Sequence, residues 1–476
     1  MSQFEEETAA FLAWLVKSGA EISNKIELRD LRQSQAGRGV VAIQDIQEDE
    51  LLFRVPRSSI LSVDNSVLPK RLPSVFKDLD PWFSLILVMM YEWEQDGKSK
   101  WHPYFQVLPF EFNTLMFWEQ DELEQLQASA VRNKIGKEQA DYTFKDTILP
   151  IVMEHAEVFY PSYGKDAHDI TSAFVMESIR LAHRMGSTIM AYAFDIEPVD
   201  SNSKAVDEEG YMSEVEDEAL PKGMVPLADM LNADADKNNA RLFYEEDSLS
   251  MKALKHIKAG EEIFNDYGPL PRSDLLRRYG YITNNYAKYD VVEIPFDTVH
   301  ETVLKNSAPA SGIETRLEYL DEQGIVDTGY DIITSDPFDI HENISSDLII
   351  LIEALLLPQS AFDRLKSKSK LPKPSNLSLK GAQLLHTMVK ARIAQYATSL
   401  EADTSESTTI PLTGSYSSRE RRYAMAKLVR IGEKVILRDA EKALADLIEE
   451  LGAGNDGLKR PPNSPQGSPG KKTKFA

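Results

Sequence analysis

The sequence predicts an α+β fold with a large helical insert, followed by an all-α domain. Three observations predict it. Short strand-like runs lie between residues 26 and 57 and resume after residue 240. Helical periodicity separates them from about residue 81 to 193, and it returns from about residue 298 to 452. At 476 residues the chain exceeds one ordinary core, so we expect two domains with appendages.

The first part of the chain predicts a helix and then strands. Residues 1–24 begin MSQFEEETAAFLAWLVKSG, which has the pattern of an amphipathic helix. Its acidic residues stand where a secretory signal would be basic, so we predict no such signal. IELRD, GRGVVAI and LLFRVPR follow as short strands separated by turn residues.

A helical insert over about residues 64–193 interrupts the strands. Apolar residues recur at three-to-four spacing in WFSLILVMMYEWEQ, FWEQDELEQLQASAVRNKI, TFKDTILPIVMEHAEVF and ITSAFVMESIRLAHRMGSTIMAYAF. Residues 197–223 are acidic and poor in aromatic residues, which predicts a mobile loop.

Strand-like sequence then returns. ARLFYEED and SLSMKALKHI predict a β-hairpin, and AGEEIF predicts a further short strand. PRSDLLRRYGY opens with proline and closes with glycine, as a short helix does. With a last strand in YDVVEIPF, the first domain is predicted to cover about residues 25–290.

The rest of the chain predicts an all-α domain over residues 298–452 and a disordered basic tail over residues 453–476. In this tail, the pair Lys459-Arg460 and the cluster from Lys471 to Lys474 match the spacing of a bipartite nuclear import signal. We therefore expect a nuclear import carrier as a partner, and a location in the nucleus or in nucleus and cytoplasm. The alternative is a tail that only aids solubility.

The composition narrows the possible functions. There is no cysteine, which excludes disulfides, thiolate catalysis and cysteine-bound zinc, and the eight scattered histidines do not predict a metal site. The net charge of −23 disfavours direct nucleic-acid binding and favours basic partners, unless acidity serves solubility alone. The longest apolar run, residues 82–93, is too short to cross a membrane.

Three short motifs could carry chemistry. AGRGVVA has glycines that allow a ligand close to the backbone, VPLADMLN ends in an asparagine with both donor and acceptor groups, and EIFNDYG places a tyrosine at a turn. Taken singly, each motif is also explained by a turn, a helix end or a packed loop.

In this order the motifs resemble those of SET-domain protein methyltransferases, and more narrowly the class related to the plant Rubisco lysine methyltransferase. That class has a helical insert inside the SET core and a helical substrate-binding domain after it. ADMLNADADKNNARL and LLRRYGY are similar to a fungal branch of this class that acts on ribosomal proteins. The resemblance covers residues 25–285 in detail and residues 298–452 in architecture.

The resemblance implies S-adenosylmethionine as cofactor, no metal, and roles for matching residues. Tyr267 would be catalytic. Cofactor-binding positions would be Ala36, Gly37, Arg38, Gly39, Tyr192, Asn232, Ala233, Tyr267 and Tyr279. Substrate-binding positions, as walls of a lysine channel, would be Trp101, Phe194 and Asp229. Ala233 departs from the family pattern, which has histidine there.

The function that follows is methylation of a lysine on a basic protein, with a large-subunit ribosomal protein as the expected substrate. One alternative is a non-catalytic SET-like adaptor, for which Ala233 is the support. Others are a related enzyme that methylates histidine and one that acts on a non-ribosomal protein. The number of methyl groups transferred stays open.

Overall fold

The chain divides into two units, the first formed by Met1–Asp290 with Leu400–Gly432 and the second by Val291–Ser399 with Glu433–Ala476. The structure is a computed structural model, and the residues it describes are 2–34, 36–160, 172–196, 220–306, 312–405, 410 and 418–456. The predicted mobile loop over 197–223 and the basic tail over 453–476 lie mostly outside this range.

Three antiparallel sheets form the strand framework of the first unit. Their orders are β1-β4-β9-β8, β10-β3-β2 and β5-β7-β6. The strands are β1 (Glu21–Ile22), β2 (Ile26–Asp30), β3 (Arg38–Ala42), β4 (Leu51–Pro56), β5 (Leu61–Ser62), β6 (Ala193–Asp195), β7 (Lys222–Met224), β8 (Ala240–Tyr244), β9 (Ser248–Ala253) and β10 (Glu262–Ile263). The strands predicted between residues 26 and 57, and the β8–β9 hairpin, are confirmed.

Two boundaries differ from the prediction. Lys222 and Gly223, assigned from sequence to the mobile loop, belong to β7, which pairs with both β5 and β6. The last helix of the insert ends at Tyr192, and the next residues enter β6. In both places a short strand follows a long segment of different character, so sequence periodicity gives little signal.

The helices of the first unit include the N-terminal helix, those of the insert and one after β10. Their bounds are α1 (Gln3–Lys17), α2 (Leu68–Arg71), α3 (Pro73–Phe76), α4 (Pro81–Glu94), α5 (His102–Phe105), α6 (Gln120–Leu123), α7 (Lys137–Thr143), α8 (Leu149–Glu154), α9 (Ala156–Phe159), α10 (Ser172–Tyr192) and α11 (Arg272–Tyr279). The helix predicted over residues 117–135 is wrong. Gln127 has a φ of 51°, which ends the helical path, and only α6 and short 3₁₀ turns form around it.

Hydrophobic burial holds the insert to the sheets. In α4, Leu85 through Met90 are all at most 1% exposed, which explains its apolar character on every side. Residues 400–432 also belong to this unit, where Met425 and Val429 pack against Leu115 and Trp118. Buried ion pairs accompany this packing.

The second unit is mainly helical, as predicted for the substrate-binding region. Its helices are α12 (Phe296–Asn306), α13 (Ile313–Glu322), α14 (Ile340–Asn343), α15 (Ser346–Leu356), α16 (Gln359–Lys366) and α17 (Leu379–Ala394). Two further helices are α18 (Leu400–Thr404), in the first unit, and α19 (Arg419–Asp456), in which the division between the units falls. No helix in the described ranges is long and apolar enough to cross a membrane.

One element of the second unit corrects the all-helical prediction. The strand β11 (Val291–Pro295) was predicted, but its partner β12 (Gly329–Ile333) lies within the stretch predicted as helical. Tyr330 and Ile332 are buried whereas Asp331 and Ile333 are exposed, which is the alternation of a strand with one buried face. Five residues are too few to stand out among long helical segments.

Candidate functional site

The turn that carries Tyr267 is fixed by its neighbours along the chain and by the segment after β7. The backbone N–H of Phe264 donates to Asn239 Oδ1 at 2.8 Å, and that of Asn265 donates to the Asn232 carbonyl at 2.9 Å. The N–H of Gly268, whose φ is 78°, donates to Asp266 Oδ1 at 2.7 Å. Tyr267 therefore sits on a turn with little freedom to move.

Five tyrosines come together around this turn. The ring of Tyr267 stacks on that of Tyr279, with centroids 4.2 Å apart and planes 12° apart, and Tyr281 lies next to Tyr279 at 6.3 Å. Tyr192 and Tyr286 are close enough to act electrostatically on Tyr267. Three of the five, Tyr192, Tyr267 and Tyr279, are residues singled out from the sequence, and the fold brings them together.

The electrostatics of this cluster keep the central phenol neutral. Burial raises the pKa of Tyr267 well above its usual range, and the neighbouring phenols act in the same direction. Burial likewise raises the pKa of Tyr279 to about 12. Tyr267 can thus donate and accept hydrogen bonds at neutral pH, but it does not serve as a phenolate base.

A second group of residues forms where β3, β10 and the segment after β7 meet. Asn232 Nδ2 donates to Glu262 Oε1 at 2.7 Å and to the carbonyl oxygen of Arg38 at 3.3 Å. A Cβ on Gly39 would lie 2.7 Å from Glu262 Oε1 and 3.0 Å from Asn232 Nδ2. A leucine side chain would be nearer still, so only glycine fits in this small recess, which an amide, a carboxylate and the Leu31 side chain surround.

The residues before β3 offer main chain rather than side chains. Gly37 has a φ of 64°, and its carbonyl accepts from the Leu31 N–H at 2.8 Å. Ala36 donates its N–H to the carbonyl of the same leucine at 3.1 Å. The Arg38 guanidinium points toward α1, where it donates to Thr8 Oγ1 at 3.1 Å and lies over the Phe4 ring at 3.8 Å. The Arg38 side chain is therefore already engaged in contacts with α1.

Ala233 also acts through its backbone. It forms a parallel bridge with Asn265, two residues before Tyr267. This pairing does not depend on the side chain, so alanine at this position keeps the connection between the two segments.

The three residues expected as channel walls differ in their surroundings. Trp101 is 1% exposed in the core, and its indole N–H donates to the Ser59 carbonyl at 2.9 Å. The Asp229 carboxylate is buried and accepts a hydrogen bond from the Tyr104 hydroxyl. Phe194 is half-buried in β6, directly after the helix that ends at Tyr192. Trp101 and Asp229 are thus buried in the core, and a role for them as channel walls stays a prediction.

Sequence reasoning missed several residues that the fold adds. Glu262 joins Asn232, Asn239 holds the Tyr267 turn, and Tyr281 and Tyr286 complete the tyrosine cluster. Tyr286 is 0% exposed, and its hydroxyl has no hydrogen-bond partner in the described part of the chain. Its position seven residues after Tyr279 carries no signal by itself. The sequence did offer a signal for Glu262: it is next to the apolar Ile263, and neighbouring residues of a strand point to opposite faces.

Gly280 fixes the end of α11 and with it the flanking tyrosines. At its φ of +77°, a Cβ would lie 2.7 Å from the Asn113 carbonyl carbon and 2.8 Å from the Thr114 nitrogen. Since both are backbone atoms, Gly280→Ala should force the helix end to move and should cost about 2 kcal/mol of unfolding free energy. Denaturant unfolding measures this cost.

Gly136→Ala is the matched control for that variant. Gly136 also has a positive φ, +70°, but a Cβ there would meet nothing within 4 Å. We expect it to cost only the backbone strain, about 1 kcal/mol. Equal losses in the two variants would show that the contact with Asn113 and Thr114 is unimportant.

Comparison with known proteins places these features in a family. The SET domain family model matches residues 37–268, and the Rubisco LSMT substrate-binding model matches residues 310–437. Ribosomal lysine N-methyltransferase 4 of Saccharomyces cerevisiae is 37% identical over 67% of this chain and 63% of its own length. The N-lysine methyltransferase setd6 of Xenopus laevis is 28% identical over 90% of this chain and 93% of its own length.

A solved structure shows the shared fold. Rubisco LSMT bound to AdoMet matches with a TM-score of 0.64 and 20% identity, over 96% of this chain and 97% of that one. The SET core and the substrate-binding region predicted from the sequence are thereby confirmed. The chain belongs to the SET-domain family and carries a substrate-binding region of the Rubisco LSMT type.

Proposed function

We propose that this protein methylates a lysine side chain of a ribosomal protein. The observation that carries the chemistry is the neutral, rigidly held Tyr267 within a cluster of aromatic rings, two residues after Asn265, whose N–H donates to the Asn232 carbonyl. The observation that favours a ribosomal substrate is the 37% identity to a relative named as a ribosomal lysine methyltransferase.

The recess around Gly39 fits the amino-acid end of S-adenosylmethionine. The Cβ that Gly39 lacks would fill it, and the groups around it are an amide, a carboxylate, the Arg38 carbonyl and the Leu31 side chain. Asn232, Arg38 and Gly39 would hold the cofactor there, and Tyr279 and Tyr192 would flank it. Bound S-adenosylmethionine supplies an electrophilic methyl group, so the protein need not activate a leaving group.

The residues of this chain then have two tasks. They must keep the acceptor amine neutral, since a free lysine has a pKa of about 10.4 and is protonated at neutral pH. Aromatic walls lower that pKa because they remove water from the ammonium form. They must also hold the amine in one orientation, a task that the Tyr267 hydroxyl performs as a hydrogen-bonding group on a fixed turn.

The expected substrate is basic. The net charge of −23 attracts a basic protein and raises the rate of encounter with it. Ribosomal proteins have this character, whereas nucleic acid would be repelled. Charge complementarity therefore agrees with the substrate that the sequence relative suggests.

Transfer of labelled methyl groups tests the proposal. The purified protein and labelled S-adenosylmethionine are incubated with ribosomal proteins from cells that lack this gene, and labelled bands are fragmented by mass spectrometry. We expect label on a lysine of one large-subunit protein. Label on histidine would contradict the proposed lysine acceptor. Label only on non-ribosomal proteins would contradict the proposed ribosomal substrate. Absence of cofactor binding would favour the adaptor instead.

We also propose that residues 453–476 direct the protein to the nucleus through an import carrier. The support is the spacing of the basic clusters at Lys459-Arg460 and Lys471 to Lys474. A fluorescent fusion whose second cluster is changed to alanine should shift from nucleus to cytoplasm. An unchanged distribution would leave the tail with a solubilising role only.

A further inference from the structure

Glu262 is an unpaired carboxylate next to the amide of Asn232. It begins β10, where Ile263 is 0% exposed and Glu262 itself is half-buried on the other face. In the described part of the chain, no lysine, arginine or histidine lies within ion-pair distance of its carboxylate. The side-chain contact that the structure gives it is the 2.7 Å hydrogen bond from Asn232 Nδ2.

This contact decides which way the Asn232 amide faces. A carboxylate accepts hydrogen bonds but does not donate them, so it selects the NH₂ group of the amide and repels the amide oxygen. The carbonyl oxygen of Arg38, at 3.3 Å from the same nitrogen, selects the same orientation. Asn232 Oδ1 is thereby left facing away, and no donor within the described ranges bonds to it.

The chemistry of the recess follows from this orientation. The amide has a free oxygen at one end and a carboxylate and a carbonyl at its NH₂ end, and all three oxygens accept hydrogen bonds. Burial raises the pKa of Glu262 and the nearby Asp234 acts in the same direction, whereas the hydrogen bond from Asn232 and the charge of Lys237 lower it. A bound ammonium group would place a positive charge directly beside this carboxylate.

We propose that Glu262 is a positioning residue for cofactor recognition: it orients the Asn232 amide so that Oδ1 faces the cofactor's ammonium group, and it adds negative charge beside that group. This inference rests on the proposed function. It concerns selectivity for the amino-acid end of the cofactor and is independent of which protein is methylated.

Two ligands separate this role from a structural one. S-adenosylhomocysteine keeps the ammonium-bearing end, whereas 5′-methylthioadenosine keeps the adenosine and lacks that end. Calorimetric titration gives Kd for both ligands with the wild type, Glu262→Gln and Glu262→Ala. Glu261→Gln is the control, because Glu261 is the exposed neighbour, and its contact to the Lys258 N–H at 2.9 Å can be kept by glutamine.

For Glu262→Ala we expect S-adenosylhomocysteine to bind roughly 10- to 100-fold more weakly, the range for loss of a charged hydrogen-bond partner. The affinity for 5′-methylthioadenosine should change by less than about twofold. Glu262→Gln should lose about tenfold at most, since its oxygen still accepts from Asn232 while the charge is gone. Glu261→Gln should leave both affinities unchanged. Glu262→Gln is close in shape to the wild type, so it keeps the test valid if the alanine variant does not fold.

Equal weakening of both ligands would overturn the inference, because it would mean that Glu262 only supports the fold. Unchanged binding of both would overturn it as well. In either case the wild type still binds S-adenosylhomocysteine and the proposed function stands. Failure of the wild type to bind either ligand would overturn the proposed function together with this inference.

Discussion

Replacing Tyr267 by phenylalanine should lower kcat by about 10²- to 10³-fold while the Kd for S-adenosylmethionine changes by less than about twofold. The loss corresponds to removing one preorganised hydrogen-bonding group from a reacting centre. The ring remains, so its stacking on Tyr279 at 4.2 Å and the shape of the cluster are kept. Single-turnover methyl transfer and calorimetric titration measure the two quantities.

The pH dependence separates orientation from proton abstraction. Because burial raises the Tyr267 pKa well above its usual range, the phenol stays protonated throughout the neutral and mildly alkaline range. The rise of kcat/KM with pH should then reflect the acceptor lysine and keep its shape in the variant. Tyr142→Phe, at a tyrosine that is 64% exposed, is the control for loss of a hydroxyl. Unchanged turnover in Tyr267→Phe would remove this residue from the chemistry.

Replacing Asp229 by asparagine should remove a pH-dependent contribution to stability of up to about 4 kcal/mol. Burial raises the Asp229 pKa from its ordinary 3.8 to about 7, although the hydrogen bond from Tyr104 acts in the opposite direction. Between these values the folded protein binds a proton that the unfolded chain has released. Stability from this group is therefore lost as the pH rises from about 4 to about 7.

The measurement is the free energy of unfolding of wild type and variant at pH 4 to 8, because their difference isolates Asp229 from other groups. The unfolding free energy of the wild type minus that of the variant should fall across this range and level off above pH 7. Tyr104→Phe is a second variant, which should enlarge the pH dependence that Asp229→Asn removes. It removes the hydrogen bond that lowers the Asp229 pKa, so the decline should extend to higher pH. A difference that does not vary with pH would contradict the assigned burial effect.

The elements that the sequence predicted well have either a clear period of apolar residues or a long apolar run. The strand at residues 26–30 and helix α10 have apolar residues that recur at one period, whereas the strand at 51–56 and helix α4 have nearly continuous apolar runs. The stretch around Gln127 has helical composition, but a single residue with positive φ breaks it, and composition does not report φ. Strand β12 was missed because it is short.

The same distinction applies to the site. Tyr267, Asn232 and Gly39 lie in motifs whose order along the chain is informative, so they could be named in advance. The sequence alone could not show that Trp101 and Asp229 are buried in the core, because it does not show whether a tryptophan or a carboxylate faces a channel or the core. Glu262 emerges from the pairing of β10 with β3, which brings it to Asn232 from thirty residues away.

The pairing of β4 with β9 has a consequence during synthesis on the ribosome. Pro56 pairs with Ser248, so the strand that completes this edge of β4 appears only after roughly 200 further residues, about 10 to 40 s at ordinary elongation rates. For that time β4 can hydrogen-bond only to the two-residue β1, and its other edge is open to other chains. The nascent chain therefore passes through a prolonged stage in which the glycine motif has emerged but the sheet that contains β4 is unfinished.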